Sequence, residues 1–192
     1  MKNVTPLVFL VVASLAATAI FASVFVYYPV TAAATPTKPP IYFSLGSNAN
    51  QNDLFYGSGN KIAVTISDAN TSLSINVHPT YQTNYYKNIA NINNQDTQAY
   101  YFAVRVNSAA TDTNLQSASL IIRSGSTTVA TINLMQTGTS SWYSISGSSS
   151  LSLDLQVTYS AGTGSSYSTS PGSGFTASLQ LIYSTTNSET AP

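Results

Sequence analysis

The sequence predicts an all-β protein, a β-sandwich of jelly-roll type preceded by an apolar arm that is itself strand-like. Three observations predict it. From residue 39 onward, short runs rich in β-branched and aromatic residues recur with turn residues between them. Two of these runs alternate without a break. Leu151, Leu153, Leu155, Val157 and Tyr159 stand against Ser152, Asp154, Gln156 and Thr158. Phe175, Ala177, Leu179 and Leu181 stand against Thr176, Ser178 and Gln180. No segment sustains the 3.6-residue period of an amphipathic helix. Many short strands at this spacing are the pattern of a sandwich or jelly roll.

The chain opens with a leader, residues 1–19. Lys2 supplies a minimal positive start, residues 7–15 (LVFLVVASL) form an apolar stretch of secretory length, and Ala17-Thr18-Ala19 fits a small-residue cleavage site. Cleavage after Ala22 fits nearly as well, and Ala32-Ala33-Ala34 offers a later site. An uncleaved leader would instead leave residues 7–28 as a transmembrane helix, just long enough to span a bilayer.

Residues 20–38 form the arm and its linker. In the arm, Ile20, Ala22, Val24, Val26, Tyr28, Val30 and Ala32 are all apolar at alternate positions. The other set, Phe21, Ser23, Phe25, Tyr27, Pro29 and Thr31, is mixed. As a strand, this segment commits one face to a core and leaves the other partly exposed. Pro29 lacks a ladder donor and suits a strand end or bulge.

The body spans residues 39–184. Strands are expected at 41–45, 61–67, 73–77, 85–92, 98–106, 115–123, 127–134, 142–145, 151–159 and 175–183. Residues 46–53 read as a loop and 93–96 as a turn, while Ser124-Gly125-Ser126 signals a hairpin. Residues 160–174 are a low-complexity loop, and residues 185–192 a polar tail.

Charged residues make up only 6% of the 192, against roughly 25% in ordinary globular proteins. Six basic residues balance six acidic ones, so no electrostatic field draws nucleic acid or anionic lipid. With 43% apolar residues the chain has material for a core, and the absence of cysteine excludes disulfides and thiol chemistry. Thirteen Tyr and seven Phe suit packed or interface-forming sheets better than disorder. Tyrosines such as Tyr85-Tyr86 and Tyr100-Tyr101 could form a sugar-binding platform, but packing between sheets or at subunit contacts is the commoner use of strand tyrosines and is favoured.

Candidate chemistry is sparse. His78 is the single histidine and precedes Pro79 at a strand end, where a structural role is expected. Asp53, Asp68, Asp96, Asp112, Asp154 and Glu189 mostly sit singly in turns, and no spacing selects a catalytic pair. The oxygen-rich loop 48–53 is the one place a calcium ion could be imagined. No catalytic residue, cofactor or metal is therefore expected, and the chain is not read as an enzyme. Asn70-Thr71-Ser72 is a possible N-glycosylation acceptor in a turn, at Asn70.

Several stretches carry a family resemblance: the apolar segment after the leader, the early strand IYFSLG, the run NIANINNQDTQAYYFAVRV, the Gly-led SISGSSSLSLDLQVTY and the closing GFTASLQLIYS. In these the chain resembles the TasA/camelysin superfamily of secreted fibre proteins, most of all its archaeal bundling pilins and thread subunits. Gln95-Asp96 stands where that family's turn often has a Gly, and the shortage of sequons makes a densely glycosylated thread the poorer match. The resemblance implies a subunit that polymerises by donor-strand complementation, its N-terminal strand completing the sheet of its neighbour. Val24, Val26, Tyr28 and Val30 would then be the interface residues. The expected product is an extracellular filament whose partners are further copies of itself and neighbouring filaments in bundles, with a role in cell adhesion or biofilm matrix. It would bind no nucleic acid and keep no stable membrane association after leader cleavage. The alternative is a surface or adhesion module anchored through residues 7–28.

Overall fold

The computed structural model describes residues 31–35, 37–54, 59–80, 82–160 and 175–190, and contacts separate a unit Thr37–Pro192 from Met1–Pro36. Of the shorter unit, residues 31–35 are exposed and in no regular structure. The longer unit is all-β: every regular element among the described residues is a strand. It forms an open β-sandwich of two antiparallel sheets.

The first sheet has the order β1-β4-β10-β6-β7, built from Ile41–Leu45, Gln82–Asn94, Ser150–Tyr159, Leu115–Ser124 and Thr127–Asn133. The second has the order β2-β3-β11-β5-β8, built from Ala63–Ser67, Ser72–Val77, Phe175–Ser184, Tyr100–Ser108 and Gly138–Thr139, and β9 (Tyr143–Ile145) also pairs with β5. The alternating residues of β10 and β11 explain the layering. Leu151, Leu153, Leu155, Val157 and Tyr159 face Phe175, Ala177, Leu179 and Leu181 as buried side chains of one core. Phe43, Phe102 and Ile122 fill the same layer. Burial of one such side chain is worth roughly 1.5–3 kcal/mol, so the sequence's two cleanest stripes form the spine of the fold.

The predicted turn at 93–96 begins later, because Asn93 and Asn94 pair with Tyr42 and Ile41 and extend β4. Asn94 is buried, and its side-chain amide donates to the carbonyls of Gln98 (2.7 Å) and Ser146 (2.9 Å). An Asn here acts as a strand-end clamp rather than a turn former. The hairpin at 124–126 forms as expected: Ser124 pairs with Thr127, and Gly125 takes the left-handed φ of 60° that glycine tolerates without strain.

β4 is also interrupted. Leu153 pairs with Ala90 and Leu155 with Tyr86, so Lys87, Asn88 and Ile89 stand opposite the single residue Asp154. Asn88 adopts φ 47°, a conformation Asn reaches more readily than most residues. The loop after β1 braces this bulge: Gly46 N–H donates to Ile89 C=O (3.1 Å), Asn48 N–H to Asn88 C=O (3.1 Å), and the Asn48 amide to Lys87 C=O (2.6 Å). A Cβ at Gly46 would collide with the Asn88 carbonyl, which accounts for glycine there.

Candidate subunit interface

For a chain with no charge field, the informative surfaces are the sheet edges, because unpaired N–H and C=O groups invite another strand. The β2 edge is covered over its first half by the chain's own loop. Asn50 N–H donates to Ile62 C=O (2.8 Å), Ile62 N–H to Gln51 C=O (2.9 Å), and Val64 N–H to Asn50 Oδ1 (3.3 Å). The β1 edge is held by the 68–70 turn, where Phe43 N–H donates to Asn70 C=O (2.7 Å). That turn has three successive left-handed residues, Asp68, Ala69 and Asn70. Thr71 and Ser72 hydroxyls donating to Asp68 hold it together. On the far side of the second sheet, the chain bulges between β8 and β9, and Ser140 N–H and Oγ bond Val104 C=O and N–H at 3.0 Å each. A bulge of this kind blunts an edge.

β7 is different. Its pairs with β6 run in register from Ala130 to Asn133, and Leu134 N–H continues the ladder to Ala118 C=O (2.8 Å). In an antiparallel ladder this places the peptide groups of Ala130 and Ile132 towards β6 and those of Thr131 and Asn133 outward. No backbone partner meets Thr131 or Asn133 on that side among the described residues. Beside this edge the core is incompletely covered: Val129, Met135 and Tyr143 are half-buried hydrophobics packed against it. A groove between β7 and the β8–β9 segment is lined by Val106, Thr131, Ile132, Asn133, Gly138 and Tyr143 among others, with no charged side chain.

Two buried carboxylates serve the fold. Asp154, with 1% of its surface exposed, fills the β4 bulge: Oδ1 accepts Asn88 N–H (2.7 Å), and Oδ2 accepts the Tyr85 hydroxyl (2.6 Å) and Arg123 Nε (2.9 Å). Desolvation first, then the hydrogen bond to Asp154, raises the Tyr85 pKa, so its hydroxyl stays a donor. The Arg123 pKa is raised, chiefly by its hydrogen bond with Tyr85. The sequence placed Asp154 on the solvent face of its strand; the bulge and these partners bury it there instead. Asp53 joins the loop to the end of β3, accepting His78 N–H (2.6 Å) at Oδ2 and Leu54 N–H (2.7 Å) at Oδ1, with His78 Nδ1 at 3.3 Å. Burial, and behind it the charge of Asp53, pushes the Tyr86 pKa well up. Asp96 accepts the Tyr100 hydroxyl (2.9 Å), and that bond is the main cause of its lowered pKa. With the folded pKa depressed, this contribution is present above the ordinary carboxylate range and is lost as pH falls through the folded value.

The residues singled out in the sequence therefore scatter. His78 caps a strand end as expected, bonded to Asp53. The carboxylate of the 48–53 loop has both oxygens engaged by backbone N–H groups, and no three of His, Asp or Glu come together among the described residues. Asn70 is exposed on its turn, open to modification. Val24, Val26, Tyr28 and Val30 lie outside the described residues. Among the described residues no helix is long and apolar enough to cross a membrane. The β7 edge went unnoticed in the sequence, where TTVATIN reads as an ordinary strand. The class defined by the fold is an all-β sandwich of two open antiparallel sheets. No family model matches the chain, and no curated protein is significantly similar to it.

Proposed function

We propose that this protein is a jelly-roll subunit of an extracellular filament assembled by donor-strand complementation. The jelly-roll reading is supported by strand order. Eight strands give β3-β11-β5-β8 in one sheet and β4-β10-β6-β7 in the other. This is the interleaved order of two Greek keys, with β1 and β2 added at one side. The observation that carries the functional reading is a pairing: a nearly uncharged sandwich joined, through an exposed irregular linker, to an arm whose alternate residues are all apolar. Such an arm gains by adding to a neighbour's sheet, where ladder bonds give affinity and side-chain pockets give specificity. No catalytic role is assigned. Sequencing the N-terminus of purified surface filaments tests this. A start between Ile20 and Val24 is expected, whereas a retained leader would favour the module anchored through residues 7–28.

Register provides a sharper check. Val26→Asp, like Val24→Asp, places a carboxylate on the face that fills the neighbour, where an unpaired charge is costly. Tyr27→Asp places it on the other face. Filament yield by sedimentation should fall at least tenfold for Val26→Asp and little for Tyr27→Asp. Equal losses would show that burial is not one-sided.

Bundling follows from composition. Filaments with no net charge lack the long-range repulsion that keeps like particles apart. Exposed Tyr, Ser, Thr and Asn then make short-range contacts between filaments, and cell cohesion or biofilm matrix is the resulting role. Electron microscopy at low and high salt should find bundles in both, since screening acts on charge alone. Bundles that dissolve on adding salt would refute the contact chemistry, and single filaments throughout would refute bundling.

A further inference from the structure

We propose that the outer edge of β7 is the acceptor, and that residues 20–30 of a second copy are its occupant; this rests on the donor-strand reading above. Four edges are candidates, and three are modified by their own chain. Asn50 and Gln51 cover the start of β2, Asn70 holds β1 at Phe43, and Ser140 breaks the line from β8 to β9. Among the described residues β7 presents outward peptide groups at Thr131 and Asn133 with no backbone bond from its own chain over them, next to the half-buried Val129, Met135 and Tyr143, whereas the uncovered half of β2 has Ile66 alone beside it. The alternation of the arm matches that combination. Val24, Val26 and Tyr28 would close over Val129, Met135 and Tyr143. Ser23, Phe25 and Tyr27 would lie on the outer face beside the exposed side chains of Thr131 and Asn133.

The position of the arm's root explains why the occupant is another copy and why the product is a fibre. Residues 37–40 lead directly into β1, at one margin of the first sheet, and β7 is the opposite margin. Four strand spacings of about 4.8 Å put these margins roughly 19 Å apart. Donor root and acceptor edge are thus different surfaces, which makes the contact head-to-tail; such contacts propagate unless the rotation happens to close a ring. The linker residues 31–40 can span up to about 33 Å when extended, enough to bridge between adjacent subunits.

The chain has no cysteine, so paired substitutions report contacts without background. Thr131→Cys is combined in the full-length chain with Ser23→Cys, Phe25→Cys or Tyr27→Cys in turn, and assembled filaments are oxidised. Directly opposed antiparallel positions have Cα atoms about 4.5–5.5 Å apart, within the Cα separation that a disulfide spans. At least one Thr131 pair should give a ladder of covalent multimers on non-reducing gels. The same arm positions combined with Thr65→Cys, exposed on β2, should give none. A ladder from Thr65 pairs alone would overturn the β7 assignment while leaving donor-strand assembly standing. Disulfide-bonded monomers without a ladder would overturn the second copy as occupant. No link from either edge, in filaments that form normally, would overturn the β7 assignment.

Discussion

Deleting residues 20–30 behind an intact leader should yield secreted subunits that no longer polymerise, seen as loss of pelletable filament and a monomer peak on size exclusion. The expected effect is large because the deleted segment holds four sizeable apolar side chains on one face, Val24, Val26, Tyr28 and Val30. At the low end of about 1.5 kcal/mol each they contribute roughly 6 kcal/mol of burial. Losing that much weakens association by a factor of about 10⁴, before any ladder hydrogen bond is counted. The sandwich itself should survive, because its cluster of buried hydrophobics is drawn from Ile41 through Leu181. Filaments of normal appearance from the deletion would refute strand exchange as the assembly mechanism, and with it the β7 acceptor.

Legibility in the sequence followed the strength of the alternation. β1 was bounded to the residue, and the stripes of β10 and β11 identified their inward faces correctly, because a one-sided burial pattern admits only one register. β8 was invisible: Gly138-Thr139 has no side-chain pattern at all, and its pairing with Arg105 and Val106 is set by the neighbouring strand. The end of β4 was misplaced because Asn-Asn-Gln-Asp has turn composition, yet Asn94 is buried by partners distant in the chain. The same holds for Asp53 and His78, separated by 25 positions, and for Asp154 and Asn88, separated by 66. Period-two reading assumes one residue opposite one residue, so a bulge supplied by the partner strand cannot be seen from β10 alone. The one local hint was Asn88 itself, a residue type suited to the left-handed conformation it takes. The edge proposed as acceptor was hidden for a related reason: whether an edge is covered depends on loops such as 48–51 and 68–70, whose destinations no local pattern gives.

Asp154→Ala should be the most damaging single substitution on the outer face of the first sheet. The carboxylate is almost fully buried and satisfies three donors: Asn88 N–H, the Tyr85 hydroxyl and Arg123 Nε. Hydrogen bonds to a charged group contribute roughly 1.5–3 kcal/mol each, and a buried N–H left without a partner adds its own penalty. Tyr85 and Arg123 are partly exposed and can turn to water, which discounts their share. A net loss of about 2–4 kcal/mol remains, or a fall in Tm of roughly 5–15 °C for a domain of this size. Asp154→Asn separates packing from charge. It keeps the volume, but with its carbonyl towards Asn88 N–H its amide NH₂ faces Arg123 Nε, and with the amide reversed NH₂ faces Asn88 N–H. Either way one donor meets another, so Asn should recover only part of the loss. Thermal unfolding of the secreted subunits, followed by circular dichroism, checks the order wild type above Asn above Ala. An Ala variant within about 2 °C of wild type would mean that the β4 bulge is held by the Gly46 and Asn48 bonds alone, and that Asp154 is a passenger in its own site.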